Sequence, residues 1–563
     1  MKYILRHLSP RKGRLLLILL LMLIYAVLSG ISLTAIMPLV SSIFRVDTQT
    51  SGILGNFNRY FLRYTPMQAV TLISGLIVVI FLLRGIVGYA QRYLGAQLEE
   101  SIIKEIRDKL YTHIHALPLS YFVREHSGHL IARATSDVDG IRRGIKDGLL
   151  PIIRETMLIL VYSGIAIYLS PTLFLYTVAI FLPIFFIIQR LGMKLRHESE
   201  RVQNRMAKVT RALSETFGGI KVIKAYAAEA EDKRRFDELT LAHMRTMLKF
   251  ERLSLIGTPL AEFMFALAIA VMLILGAYAI FIKNVLTASE FILFIGAIVA
   301  LVQPIRNVAQ ANSLLQRAIN VTDRVYRVME LPCERTHGGI PLGGLKECIV
   351  FDNVHFAYDT EYVLMGVSFS IHKGEKIAII GTSGVGKTTI VDLLLGFYEP
   401  THGRIIVDGH DLREIDLRSW RKHIGVVTQE PILFNTTIIE NIALGEPTVD
   451  IKRVKRAAIL AHADEFISKL PDGYNTIIGE RGVTLSGGER QRLALARAIY
   501  KEPEILILDE VTAYLDRESA QKIEAALEEV LKGRTALIIT HDESTLKLVD
   551  RVLELKDGRI HNI

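Results

Sequence analysis

The chain has 563 residues, of which 50% are hydrophobic, and a mean hydropathy of +0.32. This length allows at least two domains, and this composition is too apolar for an ordinary soluble enzyme, so part of the chain is predicted to lie in a bilayer. Two cysteines, Cys333 and Cys348, are too few for a disulfide framework and receive no role. The net charge of +9 would suit a nucleic-acid binder, but the positions of the basic residues indicate a membrane protein instead.

Six runs of roughly twenty apolar residues are each long enough to cross about 30 Å of hydrocarbon as a helix. They lie near residues 15–40, 66–90, 148–169, 171–189, 253–282 and 289–312. The first run follows basic residues, as a secretory signal would, but its apolar stretch is too long and no cleavage site follows it. The sequence therefore predicts six transmembrane helices in the first part of the chain.

Two basic segments of some 60 residues separate the second span from the third and the fourth from the fifth. The positive-inside rule places both segments in the cytosol, together with both termini. Arg45, Arg59 and Arg63 in the first short loop favour the opposite orientation but are outweighed. Both basic segments keep helical periodicity, so the spans are expected to continue as long helices beyond the membrane.

The character of the chain changes near residue 349, where short β-branched strands begin to alternate with helices and Gly-rich turns. The predicted strands are Ile349–Phe351, Lys376–Ile380, Ile505–Leu508 and Ala536–Thr540. This alternation is typical of an α/β domain with a largely parallel sheet. We therefore expect a multi-pass α-helical membrane domain over 1–330, a linker over 331–348 that contains proline and glycine, and an α/β nucleotide-binding domain over 349–563.

A Gly-rich loop follows the strand Lys376–Ile380 and precedes a helical run over Thr389–Leu395, which is the order that a phosphate-binding P-loop requires. The loop consists of Gly381, Thr382, Ser383, Gly384, Val385, Gly386, Lys387 and Thr388, with Thr389 next to it. Its glycines allow backbone N–H groups to surround the phosphates of ATP, while Lys387 reaches the β and γ phosphates and Thr388 can ligate Mg²⁺. The alternative is a chance Gly-rich turn.

Two acidic residues end the apolar strand Ile505–Leu508. A buried strand that ends in two acids has few structural explanations. Asp509 fits a carboxylate that holds Mg²⁺, directly or through water, and Glu510 fits the base that polarises the attacking water.

The segment Leu485–Arg490, with the sequence LSGGER, precedes a helix and the acidic strand, as the signature motif does in ATP-binding cassette (ABC) proteins. The chain resembles that family, and its other motifs occur in the family's order. The resemblance implies that nucleotide is contacted by the signature residues Ser486, Gly487, Gly488 and Glu489, and that Tyr358 stacks on adenine. It also implies that Gln429 senses Mg²⁺ and the attacking water and that His541 is the switch histidine at the γ-phosphate. Thr476 to Gly482 would form the loop ahead of the signature, and Leu515 and Asp516 a turn that contacts the other cassette of the dimer.

Three residues depart from the family pattern. Glu489 replaces the usual glutamine of the signature, Tyr514 enlarges the turn before Leu515, and Asp542 follows the switch histidine where a basic residue is frequent. These departures concern the tuning between two sites rather than the reaction. In the family, the signature of one cassette closes over the nucleotide held by another, so the resemblance implies a homodimer with ATP and Mg²⁺ as cofactors.

Two cytosolic segments resemble the coupling regions of type IV exporters. The first is Leu117–Phe122 and the second is Glu215–Glu229. Their alternative interpretation is a solvated charged face, but their position midway between paired spans favours docking against a cassette.

Charged residues within the spans are the best indication of the substrate. Inserting a charged side chain at mid-bilayer costs about 2.5 to 3.5 kcal/mol, so such a residue usually faces a cavity. They are Arg84, Arg154 with its neighbour Glu155, Glu262 and Arg306. Counted along their helices, the three arginines reach a similar depth near the inner-leaflet headgroups. Guanidinium groups suit phosphate, whereas the alternative is that each arginine snorkels to interfacial water.

The sequences around these arginines resemble the places where lipid A flippases keep basic residues, although the last position typically has lysine. The resemblance implies ATP-driven flipping of a phosphate-bearing lipid, a lipid A or lipopolysaccharide precursor, from the inner to the outer leaflet of the bacterial cytoplasmic membrane. Export of drugs or of another lipid-linked compound is the alternative. The six spans exclude a soluble nucleic-acid ATPase, and a channel gated by ATP would not need an intact Glu510 and His541.

Overall fold

The computed structural model divides the chain into two compact units. The helical unit comprises Met1–Asp108 and Thr135–Val325, and the α/β unit comprises Lys109–Ala134 and Tyr326–Ile563. The structure describes residues 3, 6–7, 9–44, 56, 59–61, 63–125, 127–283, 286–334, 339–479, 482, 484–513 and 515–562.

Long helices form the first part of the chain, because a backbone in hydrocarbon must satisfy its hydrogen bonds within its own segment. Within the described residues, six helical segments are long and apolar enough to cross a membrane, which confirms the six predicted spans of a multi-pass membrane protein. In chain order the helices are α1 (Lys12–Thr34), α2 (Ile36–Phe44), α3 (Pro66–His115), α4 (Leu119–Arg124), α5 (Ser127–Ala132), α6 (Val138–Arg143), α7 (Leu150–Leu169), α8 (Pro171–Gly218), α9 (Ile220–Ala225), α10 (Glu229–Phe281) and α11 (Ala288–Met329).

Several of these helices extend well beyond a bilayer. Helix α3 has 50 residues, and at 1.5 Å per residue it is about 75 Å long, more than twice the thickness of the hydrocarbon core. Helices α8 and α10 have 48 and 53 residues. The prediction that the spans continue as long helices is therefore confirmed.

Small residues allow the helices of the helical unit to approach closely, since lipid supplies no hydrophobic drive for their association. A Cβ atom placed on Gly144 would lie 2.0 Å from the Cβ of Ala318, so only glycine fits at this contact between the segment after α6 and helix α11. Phe294 is fully buried at the centre of an apolar cluster formed with α2, α7 and α10. Other large apolar side chains face outward, as expected beside lipid, among them Leu16, Val78, Leu175 and Ile274.

The two predicted coupling segments are short helices. Helix α4 starts directly after Pro118, and α9 lies between the ends of α8 and α10. Helix α4 belongs to the α/β unit, where the Arg124 guanidinium lies 2.6 Å from the Asp359 carboxylate. This exposed ion pair connects the first coupling segment to the turn between the first two strands.

The α/β unit contains two sheets. A six-stranded sheet has the order β10-β9-β3-β8-β7-β6 and is parallel except for β10, which confirms the predicted parallel sheet. A four-stranded antiparallel sheet of order β2-β1-β4-β5 was not predicted, and this sheet, not the parallel one, contains the predicted strand Ile349–Phe351. The strands are β1 (Cys348–Ala357), β2 (Tyr362–His372), β3 (Lys376–Ile380), β4 (His402–Val407), β5 (His410–Asp411), β6 (Ile424–Val427), β7 (Ile505–Asp509), β8 (Thr535–Ile539), β9 (Arg551–Lys556) and β10 (Arg559–Asn562).

Helices cover the parallel sheet and hold its strands in place. They are α12 (Lys387–Leu394), α13 (Leu417–Lys422), α14 (Ile438–Ile442), α15 (Ile451–Leu460), α16 (Asp464–Ile467), α17 (Gly487–Tyr500), α18 (Arg517–Val530) and α19 (Glu543–Leu546). Strands β7 and β8 are buried along their whole length, as parallel strands covered on both faces are. The fully buried Trp420 donates from its indole N–H to the carbonyl oxygen of Leu394 at 2.8 Å, which anchors the end of α12.

Candidate nucleotide site and membrane cavity

The phosphate loop turns between β3 and α12 on glycines with left-handed backbone conformations. The φ angles of Gly381, Gly384 and Gly386 are +153°, +82° and +110°. A Cβ atom on Gly386 would lie 2.7 Å from a methyl group of Val363, so this position is also sterically restricted to glycine. Thr382, Ser383 and Gly384 are exposed, while Val385 packs partly against the core. The loop therefore presents backbone N–H groups at the N-terminus of α12, where they favour an anion.

Three predicted residues from distant parts of the sequence converge at this loop. The buried Lys387 ammonium donates to the Gly381 carbonyl oxygen at 2.5 Å and lies 2.7 Å from Nε2 of His541. It also lies 3.6 Å from Oε1 of Glu510, which in turn is 3.7 Å from Nε2 of His541. A phosphate placed here would meet a fixed ammonium, an imidazole and a carboxylate at once.

Of the three residues predicted at Mg²⁺, Thr388 and Asp509 are neighbours, whereas the Gln429 amide donates to Glu510. The Thr388 hydroxyl donates to Oδ2 of Asp509 at 3.2 Å. Burial raises the pKa of Asp509, an effect that the hydrogen bond from Thr388 opposes. The described residues contain no group of three or more His, Cys, Asp or Glu side chains that could hold a metal ion alone. This donor set fits Mg²⁺, which commonly binds through one or two protein oxygens, substrate phosphates and water.

Glu510 follows Asp509 in a strained backbone conformation. Its φ angle is +47°, a region that side-chain-bearing residues rarely occupy and that often marks functional sites. Its amide donates to the Ile539 carbonyl oxygen at 2.9 Å, which fixes the residue to strand β8. The Gln429 amide donates to Oε2 of Glu510 at 2.7 Å, so the carboxylate is oriented by another predicted site residue.

An aromatic group lies beside the loop. The Tyr358 hydroxyl is 3.1 Å from the hydroxyl of Thr389, and burial raises the pKa of Tyr358. Its ring meets those of Phe356 and Tyr398 edge to face at centroid distances of 4.9 and 5.2 Å. The sequence did not identify Tyr398, because a lone aromatic after a helix carries no motif. The group leaves part of the Tyr358 ring exposed and able to stack.

The helical unit contains a polar cavity of about 420 Å³, within the range of ligand pockets. Arg84 and Arg154 both line it, as does Glu155. The Arg84 guanidinium lies over the rings of Phe81 and Tyr25 at 4.9 and 5.5 Å from their centroids. Two of the predicted substrate residues are thus brought together in one space.

The other two predicted substrate residues do not line this cavity. Arg306 is exposed, although its neighbours Pro304 and Asn307 line the cavity, and Glu262 is exposed on α10. The cavity also includes Gln91 and Arg92, which sequence reasoning missed. The missed signal was helical spacing, because these residues follow Arg84 by seven and eight positions on α3.

Models of known protein families match both halves of the chain. Residues 19–305 match the model described as ABC transporter transmembrane region, and residues 364–513 match the model described as ABC transporter. The chain belongs to the ABC transporter family. As an ABC transporter it binds ATP and couples ATP hydrolysis to transport.

Curated relatives of this ABC transporter are similar over most of their length. A protein of Syntrophus aciditrophicus is 35% identical over 486 residues, which is 86% of this chain and 81% of the relative. One of Chromohalobacter salexigens is 34% identical over 498 residues, with 88% and 86% covered, and one of Legionella pneumophila is 36% identical over 482 residues, with 85% and 81% covered. All three are named ATP-dependent lipid A-core flippase.

The ABC signature starts helix α17 with a capping box. The Ser486 hydroxyl accepts from the Glu489 amide at 3.3 Å, and the Glu489 carboxylate accepts from the Ser486 amide at 2.7 Å. Glu489, unusual for the family, therefore fits the local helix chemistry. A Cβ atom on Gly488 would lie 2.4 Å from the Ser519 hydroxyl, whereas Ser486 and Gly487 are exposed.

The other two departures from the ABC pattern are Tyr514 and Asp542, and the structure describes only Asp542. Tyr514 lies outside the described residues, as do Glu480 and Arg481 of the loop ahead of the signature. Asp542 caps helix α19, where its side chain accepts from the Ser544 amide at 3.3 Å and from the Ser544 hydroxyl at 2.7 Å. Cys333 and Cys348 are both free thiols.

Proposed function

We propose that this ABC transporter is one half of a homodimeric exporter that flips lipid A-core, or a precursor of it, from the inner to the outer leaflet of the bacterial cytoplasmic membrane. The observation that carries the proposal is the cavity of the helical unit, in which Arg84 and Arg154 meet. Charged side chains in a membrane span are costly and usually serve a function, and guanidinium groups bind phosphates in a bidentate manner. The names of the curated relatives support the same substrate.

The nucleotide site supports hydrolysis by the geometry of its side chains. In this proposal Lys387 binds the β and γ phosphates and Thr388 and Asp509 hold Mg²⁺, roles supported by their contacts at the phosphate loop. When bound, the ion would neutralise charge that develops on the phosphates. In the same proposal Glu510, to which Gln429 donates, accepts a proton from the attacking water, and His541 contacts the γ-phosphate.

Dimerisation is supported by the position of the signature. Among the described residues, no hydrogen bond joins Ser486 or Gly487 to the phosphate loop of the same chain. The exposed start of α17 is available to close over a nucleotide held by a second copy. Because this chain carries both an intact loop and an intact signature, a symmetric homodimer would complete two equal sites.

Coupling between hydrolysis and transport is supported by the short helix α4. Its ion pair from Arg124 to Asp359 fixes it to the α/β unit, and the carbonyl oxygen of Ala116 just before it accepts from the Glu334 amide at 2.7 Å. Glu334 pairs with Arg421 at 2.5 Å. We propose that a displacement of the α/β unit on ATP binding reaches the helices through this connection, with the α/β unit and both termini in the cytosol.

The test is lipid-stimulated ATPase activity of the purified chain in phosphatidylcholine nanodiscs. Lipid A should stimulate hydrolysis and bind with higher affinity than a panel of cationic drugs. Stimulation by drugs without stimulation by lipid A would replace the lipid assignment with drug export. A lipid A response that persists in a Glu510→Gln protein at full rate would instead contradict the assignment of the catalytic base.

A further inference from the structure

The two arginines of the cavity are held in different ways. Aromatic rings hold Arg84, and among the residues that the structure describes no hydrogen bond or ion pair to its guanidinium is seen. Arg154 is instead paired with an acid: its Nε and Nη2 atoms donate to Oε1 of Glu155 at 3.1 and 2.5 Å. In the structure, Arg154 is therefore already paired with an anionic side chain.

The pair between Arg154 and Glu155 is not a simple consequence of helix geometry. Adjacent residues on a helix point about 100° apart and do not face each other, so the arginine side chain has to fold back to reach the acid. Glu155 is only 3% exposed. A buried carboxylate without a partner is costly, which makes Arg154 its required counter-ion.

We propose that Glu155 is a specificity-determining residue that competes with the substrate for Arg154. This inference rests on the proposed function, because it assumes that the cavity binds the anionic headgroup of a lipid. Glu155 occupies the Nε and Nη2 edge of the guanidinium, so a ligand reaches that edge only by displacing the carboxylate, and a ligand bound at Nη1 shares Arg154 with it. Glu155 therefore sets a minimum of negative charge that a headgroup must offer.

The threshold separates two classes of membrane lipid. A phosphate monoester carries about −1.5 to −2 charges at pH 7, whereas a phosphodiester headgroup carries a single charge. A monoester offers more charge than the carboxylate it replaces, and a diester does not. Bulk phospholipids with diester headgroups would thus be kept from a site that a lipid with phosphate monoesters can enter, even though the bulk lipids are far more abundant.

The test compares two probe lipids with the same acyl chains, phosphatidic acid and phosphatidylglycerol, in phosphatidylcholine nanodiscs that contain the full-length protein. The parent should bind phosphatidic acid measurably and phosphatidylglycerol weakly. In the isosteric variant Glu155→Gln, affinity for phosphatidylglycerol should rise by about tenfold or more and affinity for phosphatidic acid by less, since the two hydrogen bonds from Arg154 to an anion no longer have to be displaced. Phosphatidylglycerol should then occupy the site.

A double-mutant cycle shows whether Glu155 acts through Arg154. In an Arg154→Gln background, Glu155→Gln should no longer tighten the binding of either lipid. The matched control is Glu198→Gln, which removes a buried acid of the same unit, paired with Arg201 at 2.8 Å, that does not line the cavity. This control should leave both affinities as in the parent.

Three results would overturn the inference. They are unchanged or weaker lipid binding by Glu155→Gln, equal tightening in the Arg154→Gln background, and equal tightening by Glu198→Gln. A separate arm with lipid A judges the proposed function: if the parent bound lipid A no better than phosphatidylglycerol, the substrate assignment would fail. The comparison of phosphatidic acid with phosphatidylglycerol would still decide the role of Glu155.

Discussion

The nucleotide site is formed mainly by backbone, whereas the membrane cavity is formed by side chains. The nucleotide site is a loop of continuous backbone at the end of strand β3, to which Glu510 and His541 are brought by neighbouring parallel strands. The cavity has no such loop and consists of side chains from helices α1, α3, α7 and α11. A site made of backbone is fixed in shape, whereas a site made of helix faces can change its chemistry one residue at a time. This difference between a site built from backbone and a cavity built from side chains allows one type of ATP-driven transporter to bind different substrates.

The largest effect should come from Glu510→Gln, which breaks the chemistry of the backbone-built site without changing its size. Turnover of ATP should fall by at least about a hundredfold while ATP still binds, because the amide cannot accept the proton of the attacking water. Steady-state hydrolysis and nucleotide affinity measure the two effects. The matched control is Glu518→Gln on the exposed start of α18, and near-normal turnover of Glu510→Gln would place the base elsewhere.

Lys387→Ala should weaken nucleotide binding itself by about tenfold or more, since the phosphates lose a charge-assisted contact. Titration with a fluorescent ATP analogue measures this affinity. Lys376→Ala, at the start of the same strand β3 and paired with Asp550, controls for loss of a lysine. Unchanged affinity of the Lys387 variant would contradict the assignment of the loop.

The cavity should respond less sharply, because its binding energy is divided among several side chains. Arg84→Ala should weaken binding of lipid A by about tenfold, and nucleotide affinity should change less than lipid affinity. Arg196→Ala removes an exposed arginine of α8 and is the control. If lipid A bound the Arg84 variant as it binds the parent, Arg84 would be an interfacial anchor.

The last effect is on stability rather than on ligand binding and concerns Asp392, which lies behind the phosphate loop on α12. Burial raises the pKa of Asp392 from 3.8 to about 6, and the nearby Asp509 adds to the rise. A carboxyl with a raised pKa in the folded state costs stability as pH rises from about 4 to 6, because the unfolded chain ionises more readily. Asp392→Asn should therefore stabilise the protein at pH 7 by on the order of 1–3 kcal/mol.

The gain from Asp392→Asn should shrink as pH falls toward 4, where the carboxyl is protonated in the folded state and about half protonated in the unfolded chain. Thermal unfolding of the parent and the variant between pH 4 and pH 7 measures this difference. Asp472→Asn, in an exposed turn, is the control. If the stabilisation stayed constant over this range, the difference in stability between the variant and the parent would come from packing and not from ionisation of Asp392.

The sequence predicted the six spans and the parallel sheet because both follow from strong local patterns, apolar length in one case and buried strands with Gly-rich turns in the other. It missed the four-stranded antiparallel sheet, whose strands β1 and β2 alternate irregularly and contain bulges. In the cavity it identified Arg84 and Arg154 from their charge within a span, their similar depth and the resemblance of the sequences around them. It could not place Arg306, because residue counting gives depth in the membrane but not the direction of a side chain around its helix.

The left-handed backbone of Glu510 has a genetic consequence. Glycine relieves such strain and asparagine tolerates it better than most residues, so mutations to either would remove the carboxylate without disturbing the fold. In the proposed homodimer, the inactive chain would pair with intact copies. In a cell that carries one normal and one mutant allele, three quarters of randomly paired dimers of that kind would contain at least one inactive site, so these alleles should behave as dominant negatives rather than as simple losses.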